Sequence, residues 1–290
     1  MKRREFLALA AAAPAISAAP VIDVNKIPAR KAGKVETAFK SPGPKPNGLQ
    51  ATRDGLWIMD QGDNKAYLVS YQDGKVLREF LTEANAASGI TFDGEALWLA
   101  STYSREIIRC DATTGQTIRK YFTPGAGVIY RMTGDPAGRS SPIAPPRPPR
   151  ESAQRKGQGK SQQVGGFQQG QALGGAATGT GGHGLEWKDG KLWVAVPPSR
   201  MIYRIDPKEW IVEHSFPTAG NRPHGIGWDG KWLWCTDSNL NAFFKHDPGS
   251  GEIVEKIQLA DGDPLPHGMT IWQGTMWYCD DVGVVCRLKM

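Results

Sequence analysis

Five times along this chain a glycine is followed nine residues later by a tryptophan: Gly48/Trp57, Gly89/Trp98, Gly184/Trp193, Gly225/Trp234 and Gly268/Trp277. Successive tryptophans are 41, 95, 41 and 43 residues apart. A period near forty residues identifies repeated units, each of which needs a neighbour to cover its apolar face. The repetition also makes equivalent positions comparable within one sequence.

The clearest unit begins at His224. It reads His-Gly-Ile-Gly-Trp, then Asp229-Gly230, then Trp232-Leu-Trp-Cys-Thr-Asp237, then two further runs separated by Gly249-Ser-Gly251. Apolar and polar residues alternate over short runs, as half-buried strands require. Asp-Gly and Gly-Ser-Gly between the runs are hairpin signals, because these residues reach positive φ at low cost. Each unit is therefore four short antiparallel strands, the pattern of a propeller blade. The sequence predicts an all-β, five-bladed β-propeller, with the tryptophans packed between blades. The last repeat stops after three strands. Residues 34–39 resemble the fourth strands elsewhere and are expected to complete it, closing the ring and removing its open edge. The predicted layout is a signal peptide at 1–19, a linker at 20–33 and the propeller at 34–290. The long gap holds an insertion at 127–182, rich in Pro and then in Gly and Gln, expected to be disordered or lid-like.

The N-terminus reads Lys2-Arg3-Arg4-Glu5-Phe6-Leu7 before an Ala-rich run and Ser17-Ala18-Ala19. This resembles a twin-arginine export signal and implies a periplasmic or secreted bacterial protein. Its apolar run is too short to span a membrane. The net charge of +6 is concentrated at two places: the signal carries +2 and the insertion +5, leaving −1 elsewhere. Without aromatic interleaving for base stacking, the basic insertion argues for no nucleic-acid partner. Cys110, Cys235, Cys279 and Cys286 form no CxxC pair. Cys279 and Cys286 flank one hairpin and could bridge; otherwise all four are buried thiols.

The residue before each repeat glycine is Asn47, Ser88, His183, His224 or His267. Arranged around an axis, the three imidazoles converge. Three histidines can hold a divalent metal and leave a position open for water or substrate. Without metal they can transfer protons. Asp237 and Asp280, at the ends of second strands, are candidate carboxylates for the far ring nitrogens. Asn47, Ser88, Asp60, Tyr103, Arg105, Arg200 and Asn239 lie on the same face and are candidate substrate-binding residues. Equally, the ring residues could simply tie each loop to the next blade. His214 and His246, on outer strands, read as surface residues.

Pro223-His224-Gly225-Ile226, Asp229-Gly230, Leu233-Trp234 and Ile202-Tyr203-Arg204-Ile205-Asp206-Pro207 resemble blades of the streptogramin-lyase-like and SMP-30/gluconolactonase-like propellers; glutamine-cyclotransferase-like propellers are similar at the blade level. The first resemblance implies a divalent metal and a His base acting on a cyclic ester, the second a metal held by acidic and Asn ligands acting on lactones. Those relatives have more blades, and their acidic ligand pattern is not evident here. Two classes remain: a metal-assisted lyase or hydrolase for a small cyclic ester or lactone, or a non-catalytic propeller binding a small ligand or a protein across the same face.

Overall fold

Each Gly-to-Trp unit forms one antiparallel sheet whose strands run from the axis outward in chain order. The computed structural model describes residues 22–126, 128–130, 140–142, 180–280 and 282–290. The inner strands are Pro46–Thr52, Ala87–Phe92, Gly184–Lys188, Pro223–Asp229 and Met269–Trp272. Each packs against the inner strand of the next sheet, and the fifth packs against the first. The chain is thus an all-β propeller of five blades. Among the described residues no helix is long and apolar enough to cross a membrane.

The repeat glycines explain why the ring closes so tightly. A Cβ on Gly48 would lie 2.0 Å from the Ser88 carbonyl oxygen, one on Gly89 2.7 Å from that of His183, and one on Gly184 1.9 Å from that of His224. On Gly225 it would lie 2.0 Å from the Met269 amide nitrogen, and on Gly268 2.6 Å from the Asn47 oxygen. Backbone meets backbone at all five steps, so no side chain fits between them. One layer outward, each repeat tryptophan is buried against the following blade. Trp98 packs with Leu185 and Val194, Trp193 with Ile226 and Leu233, Trp234 with Met269 and Met276, and Trp277 with Leu49 and Ile58. The same tryptophan therefore recurs because the same interface recurs.

Ring closure follows the expected route. Glu36–Lys40 pairs antiparallel with Val284–Lys289, with Phe39 opposite Val285. Phe39 then packs on Trp277. A second N-terminal strand, Ala29–Lys31, pairs in parallel with Ile253–Gln258 and gives the fourth blade five strands. It lies in the stretch read as a linker. Its three residues are all exposed, so no alternation announced it; Val24 and Ile27 anchor the approach by packing with Ala219, Ala242 and Phe244. Within the insertion, Val128–Tyr130 pairs with Ser140–Pro142. The rest of it up to residue 179, and residues 1–19, where an export signal is expected, lie outside the described residues. At the seam the insertion interrupts, Tyr121 and Trp210 stack at 3.9 Å between centroids, flanked by Trp98.

All four cysteines are buried. Cys279 opposes Val285 while Cys286 opposes Tyr278, which places the two thiols on opposite faces of their hairpin. His246 is a correction: it is fully buried, with Nδ1 at 3.3 Å from the Gly251 carbonyl. It shares a strand face with Phe244, and that face is core.

Gly184→Ala should destabilise the propeller by about 3 kcal/mol, since the backbone must move to admit the methyl group. Gly262→Ala, where a Cβ meets nothing within 4 Å, should be near neutral. Urea denaturation midpoints of the two variants check this.

Candidate functional site

In three of the five blades the position before the glycine sits where the inner strand breaks register. Shifts occur between Pro46 and Gly48, Ala87 and Ile90, and Pro223 and Ile226. Successive blades then bring three imidazoles into one row. His183 and His224 lie 4.6 Å apart between ring centroids at 87°, and His224 and His267 lie 4.6 Å apart at 72°. His224 and His267 are buried; His183 is half-buried as a residue, with both ring nitrogens shielded from solvent.

Hydrogen bonds fix the middle ring. His224 Nδ1 lies 3.0 Å from the Arg222 carbonyl oxygen and 3.0 Å from Ser238 Oγ. The Ser238 hydroxyl donates to the Pro266 carbonyl at 2.6 Å. Its proton is thereby committed, so Nδ1–H of His224 is the donor and Nε2 keeps its lone pair. Arg222 Nη2 stands 3.4 Å from His267 Nε2. A guanidinium can only donate, so this nitrogen is an acceptor as well. Burial, then the neighbouring His183, His267 and Arg222, pushes the His224 imidazole well below its usual range. It is a neutral base at neutral pH.

These features do not compose a metal centre as they stand. The His267 Nε2 lone pair faces the Arg222 guanidinium, so a divalent ion bound there would sit beside a fixed positive charge. Among the described residues no group of three or more His, Cys, Asp or Glu is arranged to hold a metal ion.

The other ring members complete a polar collar. Asn47 is buried, and its Oδ1 has no hydrogen-bond partner among the described residues. Ser88 Oγ accepts from Thr102 Oγ1 at 2.9 Å, and that threonine also reaches the Gly182 carbonyl at 3.1 Å. The ring serine is thus built into the seam beneath the insertion.

The carboxylates have local work. Asp237 accepts from the amides of Arg222, Asn239 and Leu240, and burial raises its pKa above the usual carboxylate range. Asp60 does the same for Lys45, Gly62 and Asp63, and Asp280 for Val282, Gly283 and Val284. Each aspartate caps the loop leaving its second strand. Through Arg222, Asp237 acts on the site at one remove, since it holds the backbone that carries the guanidinium. Arg105 and Arg200 occupy one turn position, at φ 61° and 57°, equivalent to Asn64 and Asn241. Arginine is uncommon in this left-handed region, and both residues flank the seam of the insertion. Tyr103 is half-buried on the adjoining loop, its amide donating to the Asn85 carbonyl at 3.1 Å. Asn239 Nδ2 donates to Asn221 Oδ1 at 2.8 Å.

Two residues escaped the sequence reading. Arg222 lies two positions before His224 in a loop without pattern. Glu186 was legible in principle: it stands two residues past a repeat glycine, where the other blades carry Gln50, Thr91, Gly227 and Thr270. Burial pushes its carboxyl up to about 8, against hydrogen bonds from the Trp187 amide and the Gln50 and Thr91 side chains.

These groups set the pH dependence. Between its ordinary 4.5 and about 8, folded Glu186 holds a proton that the unfolded chain lacks, so stability falls as pH rises through that window. His246, lowered from 6.5 to about 4 by burial, acts oppositely: stability falls as pH drops through its window. Glu186→Gln should remove the alkaline-side loss, read from melting temperatures across the two windows.

The sequence matches no protein-family model and no curated protein. Among solved structures, the chain is similar to the glutaminyl cyclase of Myxococcus xanthus, with a TM-score of 0.57 and 11% identity over 93% of this chain and 99% of that one. It also resembles a catalytically inactive virginiamycin B lyase from Staphylococcus aureus crystallised with quinupristin (TM-score 0.44, 19% identity, 84% of this chain and 66% of that one). A streptogramin B lyase structure matches with a TM-score of 0.45 and 17% identity, over 89% of this chain and 98% of that one. At these identities the likeness is one of fold.

Proposed function

We propose that this propeller is an exported lyase or hydrolase acting on a small cyclic ester or lactone, with the imidazole row as its proton-transfer site. The observation that carries the reading is the neutral His224, fixed with Nε2 unprotonated between two further imidazoles and backed by Arg222. In this reading His183, the least buried of the three, would meet substrate and take the proton once its shielded ring nitrogens are uncovered. In an elimination it would remove a proton from the carbon adjacent to the one that bears the ester's alkyl oxygen; a C=C bond then forms as the C–O bond breaks and the oxygen departs as a carboxylate. In a lactone hydrolysis it would take a proton from the attacking water. In this reading Asn47, Arg105, Arg200, Tyr103 and Asn239 would line the approach. Export to the periplasm or beyond, through the signal at residues 1–19, belongs to the same proposal.

A divalent metal is a separate part of it. Binding by His183, His224 and His267 would require the His267 ring to turn away from Arg222. Metal analysis of the purified protein beside His183→Ala decides this: near-stoichiometric metal, lost in the variant, is the outcome that a bound ion requires.

A second reading is a non-catalytic propeller that binds a ligand across this face. The seating of His224 on the Arg222 carbonyl favours it, because a structural histidine would be held in the same way.

A panel of lactones and cyclic esters tests the two. Catalysis predicts turnover that falls about 10²- to 10⁴-fold in His183→Ala, in a variant that still unfolds cooperatively. Absence of turnover across the panel, with ligand binding intact in the variant, would establish the binding reading instead.

A further inference from the structure

The face opposite the imidazole row carries a second opening, at the seam where the ring closes. It is a groove of about 710 Å³ between the fifth blade and the first. Its walls come from three separate parts of the chain: the N-terminal strand (Lys34, Glu36), the C-terminal strand (Arg287, Lys289) and the turns bearing Tyr71, Gln72, Trp272 and Gln273.

The groove is chemically two-sided. Tyr71 is locked by its hydroxyl, which donates to the Thr52 carbonyl at 2.8 Å and accepts from the Thr52 amide at 3.0 Å. Its ring lies 5.3 Å from that of the buried Trp277. Trp272, half-buried, packs on the same cluster. These rings form a rigid apolar wall. The remainder is polar: Gln72 and Gln273 are exposed, and Gln273 is held at φ 48°, which costs energy for a residue other than Gly, Asn or Asp. Charge is unbalanced. Lys34, Arg287 and Lys289 face a single carboxylate, Glu36, already paired with Arg287 at 3.2 Å.

We propose that this groove binds an acidic oligosaccharide of two or three rings. A volume of this size suits a ligand on that scale. The aromatic wall fits the apolar face of a sugar ring, the amides fit its hydroxyls, and the surplus positive charge fits its carboxylates. The site is independent of the imidazole row and of any reaction there. Because its walls include both strands of the closing pair, an occupant bridges them and stabilises the folded ring.

The probe is a trimer of galacturonic acid, with maltotriose as the uncharged control. The acidic trimer should raise the melting temperature in a concentration-dependent way, and its binding by calorimetry should weaken with added salt. Trp272→Ala should abolish the response. Lys34→Glu, an exposed change that leaves the core intact, should weaken binding by roughly five- to tenfold. No response to the acidic trimer, an equal response to maltotriose, or full binding by both variants would overturn the proposal.

Discussion

The approach of backbone to backbone around the axis is the constraint on which the rest of this structure depends. At each of five steps a glycine of one blade meets the backbone of the next at a distance that excludes even a methyl group. This contact sets how near the inner strands come. It leaves the axis no room for a broad channel and determines which side chains can meet across it. The tryptophans one layer out pack the interfaces that the glycines allow. A five-bladed ring needs this tight centre because fewer blades must turn through a larger angle at each step.

The same closeness gives the residue before each glycine its significance. In a wider ring His183, His224 and His267 would line a cavity separately; here their rings touch edge to face. Crowding three imidazoles in a buried place penalises any positive charge on them, and Arg222 adds to the penalty. Burial first, and then that crowding, keeps the His224 imidazole neutral well below its usual range. Two residues further along each inner strand, the same geometry collects Gln50, Thr91 and Glu186 and keeps the glutamate protonated. One architectural device thus yields a buried neutral base at His224 and, beneath it, a neutral acid.

Much of this was legible because the repeat compares the chain with itself. The blade number, the tryptophan interfaces, closure by residues near Phe39 and the meeting of the three histidines all follow from equivalent positions. What escaped was what the repeat does not encode. Ala29–Lys31 is short and exposed, and its pairing depends on anchors earlier in the chain. Arg222 sits in a loop whose course is set by Asp237, so nothing in its own neighbours placed it beside His267. His246 was legible from strand parity with Phe244, but a histidine on an outer strand is ordinarily solvated. The aspartates at the ends of the second strands match carboxylates of a catalytic site in type and position. Their recurrence with Gly, Asn or Asp a few residues on is equally the mark of a capped turn, and the amides they accept from make that role plain.

The most direct test of the account is a histidine-selective NMR titration of the protein beside His183→Ala. If the three rings share one buried row, His224 remains neutral well below pH 6.5, with the proton on Nδ1, and its midpoint moves upward when the neighbouring imidazole is removed. A midpoint near 6.5 that does not respond to the loss of His183 would mean that the rings do not meet, and the proton-transfer site would fall with them.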